Sequence, residues 1–385
     1  MTKIGFSLMG SEGWQAGSVY LSDLLAAIRE ISPNDTSISL ILPASESHLP
    51  PEMASLVDDV VRPPTFRRLT MRWALDRSIK RVFDRDLFEH YTLKRHGIDL
   101  LALDCRCMTW MPTLAWIPDF QHVHLPEMFS EADLRHRDRM FMSLIKRSAK
   151  IILISQSVKQ DFDLFAPAYS HKARVVNPVS YIPESIYETD PEPIRQLYNL
   201  PKNFIYLPNQ FWKHKNHATV FEALSILKQE GKEIFLVCSG YPGDSRHLSH
   251  FAGLLQQLSL GGIRDQVAFL GLIPRDHVFM LMRQSVCVLN PSLFEGYGMT
   301  VDEARSIGKQ VLASDIPSHR EQNPPGAVFF DPHDSQDLAA KLNELWHTKL
   351  AGPDEAMEAV ARQRQPGRRT DYAKAFMAVV SEIEG

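Results

Sequence analysis

The chain has 385 residues, 44% of them hydrophobic, enough for two ordinary domains each with its own core. Its net charge of -4 offers no general attraction to nucleic acid, and no uninterrupted apolar run approaches the roughly 18 residues that span a bilayer. Four cysteines are too few for a disulfide framework and Cys105 and Cys107 are too close for ordinary zinc spacing, so a reducing, cytoplasmic compartment is expected.

Residues 3–9 read as a first strand that starts without the features of a cleavable signal. A loop from Gly10 to Gly17 follows, then a helical pattern from Ser18 through Ile28. Strand, glycine loop and helix let a phosphate approach the backbone, but the spacing is not Gly-x-Gly-x-x-Gly and a plain tight turn fits equally. No acid closes a convincing second strand, which disfavours a nicotinamide site. Further strands are predicted at 37–42, 98–103, 114–117 and 150–154, with helical patterns between most of them. This is an alternating α/β domain.

Between Arg62 and Arg85 eight basic residues stand against two acids, interleaved with Phe66, Trp73, Leu75 and Val82. A solvated helix face and a contact with an anionic membrane surface both fit this stretch, and the second would make the protein peripheral on the inner face of the cell membrane. From Trp116 to Glu127 the chain leaves a strand between two prolines and packs Asp119, His122, His124 and Glu127 closely together. No third spaced histidine or cysteine completes a metal set, so the favoured reading is a polar cluster lining a cleft, with no metal site.

From Asn177 to Pro201 five prolines among scattered acids mark a linker. A second alternating set then begins with a strand at 204–207 and a helix at 220–227. Between them Lys213 and Lys215 can neutralise a diphosphate and Asn216 can cap the helix, although a solvated basic loop reads the same. Strands follow at 234–238, 267–270, 286–289 and 310–313, and residues 371–383 form an amphipathic helical pattern.

The most informative stretch is Pro291-Ser-Leu-Phe-Glu-Gly-Tyr-Gly-Met-Thr-Val-Asp-Glu-Ala304, directly after an apolar strand. Gly296 and Gly298 let the backbone turn sharply, and a helix starting near Met299 or Thr300 would aim its free N–H groups at the same place, a seat for phosphate. Glu295 and Glu303 bracket that seat, and carboxylates beside a phosphate find their partners in neutral hydroxyls. Phosphate flanked by hydroxyls describes a nucleotide sugar. Thr300 to Glu303 also matches a capping box, in which Glu303 only satisfies a helix-end N–H.

This stretch, with Gly308 to Glu321 after it, resembles the Glu-x7-Glu signature of retaining glycosyltransferases of the large "group 1" family. The resemblance implies an α/β protein of the GT-B fold, two Rossmann-like domains facing each other across a cleft. Residues 1–177 would form the acceptor-side domain, with helix 371–383 packing back on it, 178–201 the linker, and 202–370 the nucleotide-sugar domain. By the same resemblance Glu295 contacts the donor sugar's hydroxyls and Glu303 the ribose. The backbone of Gly296, Tyr297, Gly298, Met299 and Thr300, with Gly13, would meet sugar and diphosphate, and Lys215 would grip the diphosphate. The family's arginine position is Gln210 here, a departure that passes phosphate neutralisation to Lys213 or to backbone dipoles. The family's His-Asp pair becomes Pro118-Asp119, so Asp119 matches while the histidine's role either falls to His122 or His124, with His122 ranked first as the nearer to Asp119, or is absent.

The implied activity is transfer of a hexosyl unit, mannosyl or similar, from a nucleoside-diphosphate sugar to a glycan or lipid-linked acceptor hydroxyl, with retention and without a metal or other cofactor. Bacterial polysaccharide, lipopolysaccharide or glycolipid assembly is the expected setting. A sugar-nucleotide epimerase, a phosphorylase and a non-catalytic nucleotide-sugar-binding subunit are the alternatives.

Overall fold

The structure, a computed structural model, describes residues 2–9, 16–32, 36–42, 49–64, 71–83, 85–107 and 109–384, the side chains of 16 and 384 excepted. Gly13, Arg67 and Arg68 lie outside the described residues. The chain divides into two compact units, one of residues 1–119, 132–179 and 368–385, the other of 120–131 and 180–367.

In the first unit seven strands form one parallel sheet: β1 Lys3–Ser7, β2 Ser37–Ile41, β3 Asp59–Val61, β4 Leu100–Ala102, β5 Thr113–Ile117, β6 Lys150–Leu153 and β7 Ala173–Val175. Their order is β3-β2-β1-β4-β5-β6-β7. Runs such as Thr113–Ile117 are buried at every position, as expected for strands covered by helices on both faces. The end of the long helix Glu355–Glu384 packs into this unit. Phe376 stacks on Phe6 with ring centroids 5.7 Å apart, and Glu382 takes charge-assisted bonds from Lys150 and Arg174.

The second unit carries β8 Ile205–Leu207, β9 Leu236–Cys238, β10 Val267–Phe269, β11 Cys287–Asn290, β12 Val311–Ser314 and β13 Val328–Phe330. They form a parallel sheet in the order β10-β9-β8-β11-β12-β13. Alternation along β8 feeds two separate cores: Ile205 and Leu207 join Phe211, Phe221 and Leu254 on one face, while Tyr206 joins Phe279, Val301 and Ile307 on the other. Each fully buried aromatic or aliphatic side chain contributes roughly 1.5–3 kcal/mol.

Residues 180–201, nearly all of the stretch 178–201 predicted as a linker, are built into this unit. Ile182, Ile186, Tyr187 and Leu200 enter its core beside Phe204 and Tyr206. The buried Arg283 donates to the carbonyls of Ile186, Tyr187 and Thr189 while its other N–H groups hold Glu358 at 2.8 and 3.0 Å. Prolines and acids made the segment look like a tether, but its interleaved apolar residues find a hydrophobic surface and its carbonyls find a cation. Phe120–Glu131, predicted as part of the first domain, also groups with the second unit.

The strand order fixes where a ligand can be held. From β8 the chain adds β9 and β10 on one side, then β11, β12 and β13 on the other, so the order reverses between β8 and β11. At such a point the loops leaving the two strands' carboxyl ends diverge and open a crevice. The loops concerned are 208–216 and 291–298.

Candidate functional site

The first loop ends in a tight turn, Lys213–Lys215, followed by Asn216 in the left-handed conformation at φ 59°. In that backbone the Asn216 side chain makes no capping bond to an N–H of the helix His217–Gln229 that it was predicted to cap. Its amide instead donates to the carbonyls of Pro291 and Pro332, at 3.1 and 2.8 Å, and its oxygen accepts from Thr219. The Leu293 N–H donates to the His214 carbonyl at 2.8 Å, so the two loops are stitched along their backbones.

This stitching sets Lys215 Nζ 2.6 Å from Glu295 Oε1, with the two side chains 15% and 11% exposed. Ser292 Oγ lies 2.6 Å from the same oxygen. Both contacts fall on Oε1, and Oε2 makes none among the described residues. Burial, the largest single effect, raises the Glu295 carboxyl, but the surrounding positive groups, Lys215 foremost, together outweigh it and the pKa falls to about 2. Glu295 is therefore an anion at any working pH. Lys213 is exposed and its ammonium makes no ion pair among the described residues, which leaves it available as a second cation. Gln210 has a buried Oε1 without a hydrogen-bond partner among the described residues.

Behind the pair runs a chain of buried amides and hydroxyls that the sequence did not reveal. Thr300 Oγ1 donates to Asn209 Oδ1, Asn209 Nδ2 donates to Asn290 Oδ1, and Ser292 Oγ sits 2.9 Å from that same oxygen, each at 2.9 Å. The chain ties the carboxyl ends of β8 and β11 to the helix Met299–Ile307. His319 supports it from below. Its Nδ1 is 2.9 Å from the Ser314 carbonyl and so carries the proton, leaving Nε2 to accept from Asn290 at 3.4 Å. Burial lowers the pKa of His319, which keeps the ring neutral.

Gly298 caps the helix Met299–Ile307 at φ 92°, and a Cβ there would stand 2.9 Å from the His319 ring. The Gln322 amide donates to the carbonyls of Tyr297 and Gly298 at 2.6 and 3.0 Å, fixing the turn that presents the first helical N–H groups. Gly298→Ala is expected to cost about 1–3 kcal/mol in urea unfolding, because left-handed strain adds to the contact with the ring. A loss under about 0.5 kcal/mol would mean that His319 swings aside freely.

With Gly298 as the cap, Thr300 lies inside the helix and the capping box does not form. Glu303 Oε1 instead faces Arg275 at 3.6 Å. Tyr297 is buried and its hydroxyl accepts from Arg305 at 3.2 Å. The neighbouring Asp302 takes Arg305 and the Ser180 N–H, so it holds the helix in place and leaves Glu303 as the outward acid of that turn.

The histidine stretch divides. His124 stacks on Phe294, ring centroids 4.8 Å apart, one residue from Glu295. His122 is buried between Phe120 and Phe129, at 6.3 and 6.4 Å. Asp119 stays with the first unit, just beyond β5. Thus His124, ranked second from sequence, is the one the structure sets against the Glu295 loop. Arg246 also escaped the sequence reading: it donates to Gln121 at 3.3 Å and lies over the Phe129 ring, fastening this stretch to the loop that follows β9. Among the described residues no group of three or more His, Cys, Asp or Glu is arranged to hold a metal ion.

Residues 190–364 match the family described as "Glycosyl transferases group 1". They form a group 1 glycosyltransferase domain. The chain is 29% identical over 263 residues to the serotype-specific mannosyltransferase WbdA of Escherichia coli, a match covering 62% of this chain and 32% of that protein. It therefore spans about a third of that relative's length. The O-antigen chain mannosyltransferase RfbU of Salmonella typhimurium is 21% identical over 266 residues, 65% of this chain and 68% of that one. Over 99% of this chain and all of the other, the structure superimposes on Anabaena HepE in complex with UDP and glucose, with a TM-score of 0.70 at 18% identity. The fold is GT-B, as predicted, and the group 1 domain contains both loops of the crevice.

Proposed function

We propose that the group 1 domain binds a nucleoside-diphosphate sugar between loops 208–216 and 291–298, and that the protein transfers the sugar to an acceptor hydroxyl with retained anomeric configuration. The observation that carries this reading is the Lys215–Glu295 pair at the strand-order reversal, beside a helix N-terminus. Lys215, Lys213 and the first N–H groups of the helix Met299–Ile307 stabilise the charge that grows on the leaving diphosphate. Glu295 Oε2 and the unpartnered Gln210 Oε1 accept from sugar hydroxyls, and Glu303 accepts from the ribose. Glu295 is anchored by Lys215 and Ser292 rather than presented as a nucleophile, which supports same-face attack. In that step the acceptor oxygen bonds to the anomeric carbon, the glycosyl-phosphate bond breaks, and a leaving phosphate oxygen takes the acceptor's proton.

Two relatives are described as mannosyltransferases of a serotype-specific or O-antigen chain, which makes a mannosyl donor and a polysaccharide or lipid-linked glycan acceptor the first candidates. His124, on Phe294, is the residue nearest the reacting sugar in this reading, and Asp119 and His122 support the segment that carries it.

Incubation with a panel of GDP-, UDP- and ADP-sugars tests the proposal. Release of nucleotide that depends on an acceptor, with a product of the donor's anomeric configuration by NMR, is expected. An isomerised donor would instead make the protein an epimerase, and saturable binding without conversion a binding subunit. Glu303→Gln removes the charge that the ribose hydroxyls need and should raise the donor KM about 10- to 100-fold with little change in kcat. An unaltered KM would take Glu303 out of the donor site.

A further inference from the structure

We propose that the helices Met71–Phe83 and Leu87–Arg95 form a docking surface for an anionic lipid bilayer. The proposal stands independently of the donor site. No residue of the first helix is buried. A helix of this length normally owes its stability to packing of one face, yet here only Trp73, Asp76, Ile79 and Lys80 are partly buried and the remaining positions are exposed. Met71, Leu75 and Val82 fall on one stripe at the helical repeat, 91%, 54% and 74% exposed. Arg72 flanks that stripe on one side and Arg81 on the other, with Arg77 farther round the helix over the Trp73 ring, so long cationic side chains border an apolar strip.

The second helix extends the surface and anchors it. Its inner face is fixed by buried Leu93 and by Glu89, which accepts from Arg106. Its outer face shows Tyr91, 68% exposed, with Leu87 one turn before it. Lys80 of the first helix bonds Asp86, the N-cap of the second, at 2.8 Å. His90 meets the half-exposed Trp110 edge to face, which adds an amphipathic ring of the kind that settles at a headgroup boundary.

Charge selects the occupant. The first helix carries four basic residues and one acid on a chain whose net charge is -4. Two copies of such a face would repel each other, whereas an anionic leaflet attracts the arginines and accepts the apolar strip between them. Among the described residues no helix is long and apolar enough to cross a membrane, so contact through this face is a surface contact.

The test is flotation of the full chain with phosphatidylcholine vesicles, with and without about one third phosphatidylglycerol. Binding is expected only to the anionic vesicles and should fall when salt is raised to about 0.5 M. The variant Arg72→Glu, Arg77→Glu, Arg81→Glu should lose more than about tenfold in partitioning, and Leu75→Ser with Val82→Ser a comparable amount. None of the five side chains is buried, so circular dichroism and thermal unfolding should stay as in the wild type. Equal binding to neutral and anionic vesicles, or variants that float like wild type, overturns the proposal. So does a wild-type dimer that the charge reversals dissociate while flotation is unchanged, since the face would then serve self-association.

Discussion

Lys215→Ala is expected to lower kcat/KM by about a hundredfold to a thousandfold, the usual consequence of removing one preorganised group that stabilises a leaving charge. The change does two things at once, because the same ammonium neutralises Glu295. Both side chains are largely buried, and taking away one partner leaves a carboxylate stranded, at a cost of about 3–5 kcal/mol in stability. A fall in activity alone would thus be ambiguous. The double variant Lys215→Met with Glu295→Gln separates the effects: it strands no charge and should recover most of the stability in urea unfolding, yet it should remain as inactive as Lys215→Ala. Recovery of turnover along with stability would show that the pair holds the loops together and takes no part in transfer.

Acid should loosen the second unit well before the carboxylates protonate. His214 and His217 are buried, and burial pushes both pKa values down to about 3 from an ordinary value near 6.5. Below pH 6.5 the unfolded chain takes up two protons that the folded one refuses. Stability is then full above pH 6.5 and falls toward pH 3, by about 1.4 kcal/mol per pH unit for each histidine. His319 acts in the same direction, and Glu295 joins below about pH 4.5, because its folded value is depressed. His217 is the cleanest probe. Its ring lies 4.4 Å from Phe211, and neither ring nitrogen has a hydrogen-bond partner among the described residues. Replacing it with methionine strands nothing, so His217→Met should be neutral or stabilising at pH 7 and should remove about 1.4 kcal/mol per unit from the slope of stability between pH 6 and 4. An unchanged slope would mean that this ring is charged within the fold.

The central strands were legible because they are uniformly apolar and bounded by turns, as at 114–117 and 286–289. β3, β7 and β13, each three residues at a sheet edge, were not read, although the equally short edge strand β10 was. The motif at 291–304 stood out by its two glycines and two acids, and the helix start at Met299 followed from them. What surrounds it did not, for a physical reason. Asn209 and Asn290 are 81 residues apart, and each is a single polar residue after an apolar strand, so nothing local signals that they bond. Positive φ at Asn216 likewise cancelled a cap that its residue type favoured. His124 and His122 could be told apart only by which one found Phe294.

Lys215 enters any encounter with a ligand already in the possession of an internal competitor. A bare phosphate can win that lysine only by evicting a buried carboxylate and leaving it without a counter-charge. Under the proposed function a sugar diphosphate would escape the penalty, its hydroxyls engaging the carboxylate as its phosphates take the lysine. Recognition of the two halves of such a donor would thereby be conditional, one on the other, and the spent nucleotide, having lost its sugar, would be the form that the displaced acid drives out.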